Sequence, residues 1–179
     1  MTRAARYFAR AEFAIDWPIQ FLVGVVGVLL TFFEGSLALW SLFYGATPLL
    51  SLVFLYWMMV QYENFVPVFL VFVIGLISDI LFSDILGGRA TAYVLAFYYV
   101  GFRRTKILQG DFMQTWFDFA LVVTGVMLFQ LLIFSLLNFA IPAVTPILFQ
   151  IGSTLILFPM GYLLLFTLAS LVEKVRMLS

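Results

Sequence analysis

Asp79, Asp84 and Arg89 stand at five-residue intervals in a stretch that is otherwise almost wholly apolar from Phe65 to Phe102. An ionisable group at membrane depth costs roughly 2.5–3.5 kcal/mol on insertion scales, so it persists there only with a partner, with water or with a task. Two kinds of chemistry suit this trio. Arg89 can pair with Asp79 or Asp84 and lock a helical hairpin, with Gly87 and Gly88 letting the backbone turn tightly. Alternatively, the same charges can line a polar pocket, open to the outside, that holds a small solute. Two carboxylates five residues apart also suit acid/base work, but no nucleophile or oxyanion arrangement accompanies them. Glu34 is the other charge at depth, and no basic residue lies near it in sequence. It is expected to be a protonated or snorkelling carboxylate, or a contact point for another helix.

The elements that must position these groups are membrane helices. Hydrophobic residues make up 65% of the 179-residue chain and charged residues 10%, with mean hydropathy +1.15. A soluble domain carries about 25% charged residues. The absence of cysteine and histidine removes disulfides, thiolate sites, the commonest general base and the commonest transition-metal ligand. Metal hydrolases and histidine-dependent intramembrane enzymes are therefore excluded, no cofactor or metal is expected, and no basic patch is dense enough for nucleic acid.

The expected fold is an all-α integral membrane protein, a single polytopic domain over residues 1–179 forming a compact six-helix bundle. Residues 1–17 form a cytoplasmic leader, about 18–173 the bundle, and 174–179 a cytoplasmic tail. The spans are predicted at Ile19–Leu42, Pro48–Val60, Phe65–Phe82, Ile85–Phe102, Trp116–Leu137 and Ile147–Val172. The second is short and is expected to continue through Gln61 and Tyr62, or to tilt little. The first runs far beyond a signal-peptide core of about 7–15 residues, which predicts an uncleaved helix. Arg3, Arg6 and Arg10, then Arg103, Arg104 and Lys106, then Lys174 and Arg176 fall on one side of six spans, which predicts N-in, C-in topology. The cluster Arg103, Arg104, Lys106 is expected to enforce that topology and to touch anionic lipid. Glu63 and Asn64 are expected to mark a wet cytoplasmic turn. Gly27, Thr31 and Gly35 form a small-residue row, expected to be a helix-packing face and a possible homodimer contact. Pro159 with Gly161 is expected to kink the last helix. Trp40, Trp57, Tyr98 and Tyr99 are expected to be interface anchors near span ends.

A family resemblance rests on particular residues. Pro48 opens an apolar helix reaching Tyr56 and Trp57. Then come Gly75, Asp79 four residues on, Leu86-Gly87, and a helix ending in Tyr98-Tyr99-Val-Gly101-Phe-Arg103-Arg104. This pattern, clearest over about residues 45–106, resembles the MreD family of bacterial rod shape-determining membrane proteins. Asp84, Gly88 and Arg89 depart from the family's pattern, so the resemblance implies no role for them. What it does imply is a non-enzymatic subunit of the elongation (Rod) complex in the bacterial inner membrane. Such a subunit associates with MreC through its membrane helix, and indirectly with the filament MreB, with RodA and with its penicillin-binding transpeptidase. The chain also resembles the substrate-binding subunits of energy-coupling-factor vitamin transporters in size and helix number. In that alternative Glu34, Asp79 and Arg89 would line a solute site. A lipid-modifying enzyme lacks a recognisable catalytic set here.

Overall fold

The computed structural model describes residues 3–38, 47–139 and 142–178, with side chains placed over 17–38, 47–62, 64–139, 142–167 and at 170. Six α-helices account for nearly all of it: α1 (Arg3–Ala38), α2 (Leu50–Gln61), α3 (Val68–Leu81), α4 (Gly88–Gln109), α5 (Phe112–Asn138) and α6 (Val144–Leu178). A single 3-10 turn, Glu63–Phe65, joins α2 to α3, and the described residues contain no strand. The segments Trp17–Ala38, Phe112–Asn138 and Val144–Thr167 are long and apolar enough to cross a membrane. The other three differ in kind. Helices α2 and α3 have 12 and 14 residues, about 18 and 21 Å at ~1.5 Å per residue, against a hydrocarbon layer about 30 Å thick. Helix α4 has 22 residues but carries Arg89, Arg103, Arg104 and Lys106.

The leader expected at residues 1–17 is helical from Arg3 and runs without a break through Pro18 into the first apolar segment. Trp40 and the end of the first predicted span lie outside the described residues. So do the side chains of Arg3, Arg6, Arg10, Glu63, Lys174 and Arg176.

Helix α2 is the centre of the bundle. Every residue from Ser51 to Val60 is buried, with α1, α4 and α6 packed around it. Its sequence is apolar on all sides, as an enclosed helix requires. The predicted extension ends at Gln61, because Tyr62 leaves the helix as its C-cap. Tyr56 meets Phe119 of α5 and Phe158 of α6, ring centroids 5.1 and 5.9 Å away, and those two phenylalanines stack at 4.1 Å. Trp57, expected at the interface, is 6% exposed. Central position overrides the usual aromatic preference, since the whole helix has protein on every side. Tyr98 does face outward.

The outer surface is apolar in turn. Phe69, Phe102, Leu121, Leu128, Ile156 and Leu163 are all exposed. A chain in water hides such side chains; one in a bilayer presents them to lipid.

Two sequence features change meaning in the fold. The row Gly27, Thr31, Gly35 faces α3 of the same chain. A Cβ at Gly27 would run into Ile74, and one at Gly35 would stand 2.8 Å from Leu81 Cδ2, while Thr31 is fully buried and donates to the Gly27 carbonyl at 2.9 Å. The expected dimer contact is thus occupied internally, because small residues allow α1 and α3 to approach closely.

Pro159 lies inside a continuous α6. Its missing N–H leaves the Leu155 carbonyl, four residues back, without its helical donor. The Trp116 indole of α5 donates to that carbonyl at 3.2 Å. A double-mutant cycle should expose the dependence. Trp116→Phe is expected to cost about 1 kcal/mol in the natural background, and clearly less when Pro159→Ala restores the helical donor. Equal costs in both backgrounds, read from thermal unfolding in one detergent, would break the link.

Candidate functional site

The hairpin between α3 and α4 is closed by a carboxylate acting on backbone. Asp79, fully buried on α3, accepts from the N–H groups of Gly87 (2.9 Å), Arg89 (2.9 Å) and Ala90 (3.3 Å). These are the N-cap residue and two first-turn residues of α4, whose own N-cap side chain supplies no bond because it is glycine. A helix N-terminus exposes unpaired donors and the positive end of the dipole, so an anion placed there satisfies both.

Arg89 consequently pairs with Asp84 rather than Asp79. Its Nη2 lies 2.7 Å from Asp84 Oδ2, Nη1 donates to Ser78 Oγ at 3.0 Å, and the guanidinium lies 4.6 Å from the Phe82 ring centroid. Arg89 is the second residue of α4.

The glycines divide by role. Gly87 has φ +87°, a left-handed conformation that side chains disfavour. Gly75 lets α3 touch the α4 backbone, since a Cβ there would stand 2.5 Å from Ala90 Cα. Gly88, expected to serve the tight turn, has neither property; a Cβ would meet only Ile85 at 4.0 Å.

Glu34 repeats the device on α2. Fully buried on α1, it accepts through Oε1 from the backbone N–H of Ser51. Ser51 Oγ in turn lies 3.3 Å from Tyr93 OH of α4, and Thr154 of α6 accepts from the Leu49 N–H at 3.0 Å. The absence of a basic neighbour in sequence is thereby explained: the positive partner is the end of a helix. Tyr93 lies one turn beyond Arg89, so both capped N-termini share one end of the bundle.

At the opposite end Arg104 donates from Nε to the Val60 carbonyl at 2.9 Å and from Nη2 to the Gln61 carbonyl at 3.5 Å. A cation thus caps the negative pole of α2, as an anion caps its positive pole. Arg103 pairs with Asp118 of α5 at 3.0 Å, and Tyr99 donates to the same oxygen at 3.3 Å. The cluster expected to touch lipid therefore contributes two arginines to internal contacts, because α4 continues as helix past the predicted span end at Phe102.

Asp118, Ser51, Ser78, Tyr93 and Thr154 are absent from the sequence-based set. Asp118 was detectable as a carboxylate inside the predicted fifth span, fifteen residues after Arg103. The hydroxyl groups carry no comparable signal. No groups of three or more metal-ligating side chains occur among the described residues. Comparison with protein-family models, with curated proteins and with solved structures yields no match to this chain.

Proposed function

We propose that this chain is a non-enzymatic scaffold of bacterial cell elongation, a multi-pass inner-membrane subunit of the MreD type. In this reading it packs laterally against the membrane helix of MreC and through it serves MreB, RodA and the penicillin-binding transpeptidase. In this reading all six helices lie across the bilayer as one bundle, the short α2 enclosed by its neighbours, with both termini inside and the basic residues on the cytoplasmic face.

The observation that carries the proposal is the use of the charges at depth. Glu34 and Asp79 cap helix N-termini, Arg104 caps a C-terminus, and Arg89 and Arg103 are paired with Asp84 and Asp118. Groups committed to holding helices together give a rigid body, and the apolar exterior offers side-by-side packing in lipid as the means of association. The transporter-subunit alternative needs Glu34, Asp79 and Arg89 around a common solute; Glu34 and Asp79 are fully buried and bonded to helix N-termini.

A tagged purification from native membranes in mild detergent tests the proposal. Recovery of a one-helix protein with a large external domain, together with cell-wall polymerases, is the expected result. Recovery of paired ATPases with a coupling membrane subunit would replace it with solute capture.

A further inference from the structure

A cavity of about 340 Å³ lies between the start of α4, the second half of α5 and the first turns of α6. This is within the size range of small-molecule sites, about 300–1,000 Å³. Its polar lining is Asp84, Arg89, Gln130 and Gln150, and Leu131, Phe134 and Ile147 are among its apolar walls. It shares Asp84 and Arg89 with the ion pair of the α3–α4 hairpin, while the capping carboxylates Glu34 and Asp79 are not part of its lining.

Arg89 is 4% exposed and its Nη1 and Nη2 are engaged by Ser78 and Asp84, so the polar groups a ligand can reach are the partly exposed Asp84, Gln130 and Gln150. The two glutamine carboxamides each offer donors and an acceptor.

The charge of the lining selects the ligand. Arg89 is balanced by Asp84 at 2.7 Å, and the glutamines are neutral. An anionic head would face Asp84 directly and Asp79 just behind the Arg89 backbone. A cationic head would compete with Arg89 for its carboxylate. An uncharged head bearing hydroxyl groups meets neither repulsion, and the apolar walls suit a hydrocarbon chain.

We propose that this cavity binds an uncharged, hydroxyl-bearing amphiphile, its head at the carboxamides of Gln130 and Gln150 beside the Asp84–Arg89 pair, its chain along Leu131, Phe134 and Ile147.

The test uses the full chain reconstituted in phosphatidylcholine vesicles with a trace of monoacylglycerol carrying a diazirine in its chain. The same chain ending in a carboxylate and in an ammonium provides two further probes. Photolabelling by the monoacylglycerol is expected to concentrate between residues 127 and 150, to be displaced by unlabelled monoacylglycerol, and to exceed that by either charged probe. In Gln130→Leu/Gln150→Leu it is expected to fall about tenfold, the loss of roughly one well-made hydrogen bond. Labelling spread over all lipid-facing helices, failure of displacement, or equal labelling by a charged probe would overturn the proposal. These three readings use the natural sequence, so they hold whether or not the variant folds.

Discussion

Asp79→Ala is expected to be far more damaging than Asp84→Ala, although both remove one carboxylate from the same hairpin. Asp79 holds three backbone N–H groups, two of them fully buried. Each buried donor left unpaired costs about 1–3 kcal/mol, so the expected loss is about 2–6 kcal/mol, its upper end comparable to the whole stability of many domains. Asp84 has a side chain 43% exposed, and water can take over part of its task at Arg89. Its removal is expected to cost about 1–3 kcal/mol, below the usual figure for breaking a fully buried pair. Asp79→Asn should fall between, because the amide keeps one acceptor oxygen but turns an NH₂ group towards a donor. Melting in a single detergent, with recovery of monodisperse protein as a second readout, decides the order. Equal melting of the two alanine variants would remove the capping role of Asp79.

Gly75→Ala is the second substitution with a large expected effect, and Gly101→Ala is its control. A methyl group at position 75 would meet the Ala90 backbone, with Cα at 2.5 Å and N at 2.9 Å. Backbone cannot rotate away as a side chain can, so α3 and α4 must separate. Overpacking of this kind costs about 1–3 kcal/mol, and here the separation also lengthens the bonds from Asp79 to α4. The upper part of that range is therefore expected. Position 101 has nothing within 4 Å of a new Cβ, and replacing helical glycine by alanine there should be neutral or stabilising by up to about 1 kcal/mol. Gly75→Ala and Asp79→Ala disturb one interface, so the double variant should lose less than the sum of the two. Strict additivity would mean that the close approach and the cap are independent.

The sequence made the charges at depth conspicuous because their cost is high wherever they point. It therefore exposed Glu34, Asp79 and Arg89, and the paired alternatives for Arg89 included the observed Asp84. What it concealed was the partner of each carboxylate. Backbone amides are present at every non-proline position and leave no mark in composition, so Asp79 looked like half of an ion pair and Glu34 looked unpartnered. Asp118 is concealed for a different reason: the positive-inside pattern places its cation, Arg103, at the cytoplasmic surface. Helix number was legible from the apolar segments, whereas the inward-facing identity of α2 was not. A uniformly apolar dozen residues reads alike whether lipid or protein surrounds it. The small-residue row on α1 was likewise legible as a close-packing face, but only the three-dimensional arrangement identified α3 as its neighbour.

The doubly capped central helix also constrains the order in which the chain is assembled. Its two ends are satisfied by residues that leave the ribosome on either side of it. Glu34 precedes Ser51 by 17 positions, while Arg104 follows Val60 by 44. During synthesis Glu34 is thus available to the Ser51 N–H at once, while the Leu49 N–H must await Thr154 of α6 and the C-terminal carbonyls the far end of α4. Until then a segment too short to span lipid comfortably retains bare carbonyls at one end, and it must stay near water, headgroups or the insertion machinery. The first two helices alone therefore lack two of the side chains that close the ends of α2, and these arrive only with the fourth and sixth helices.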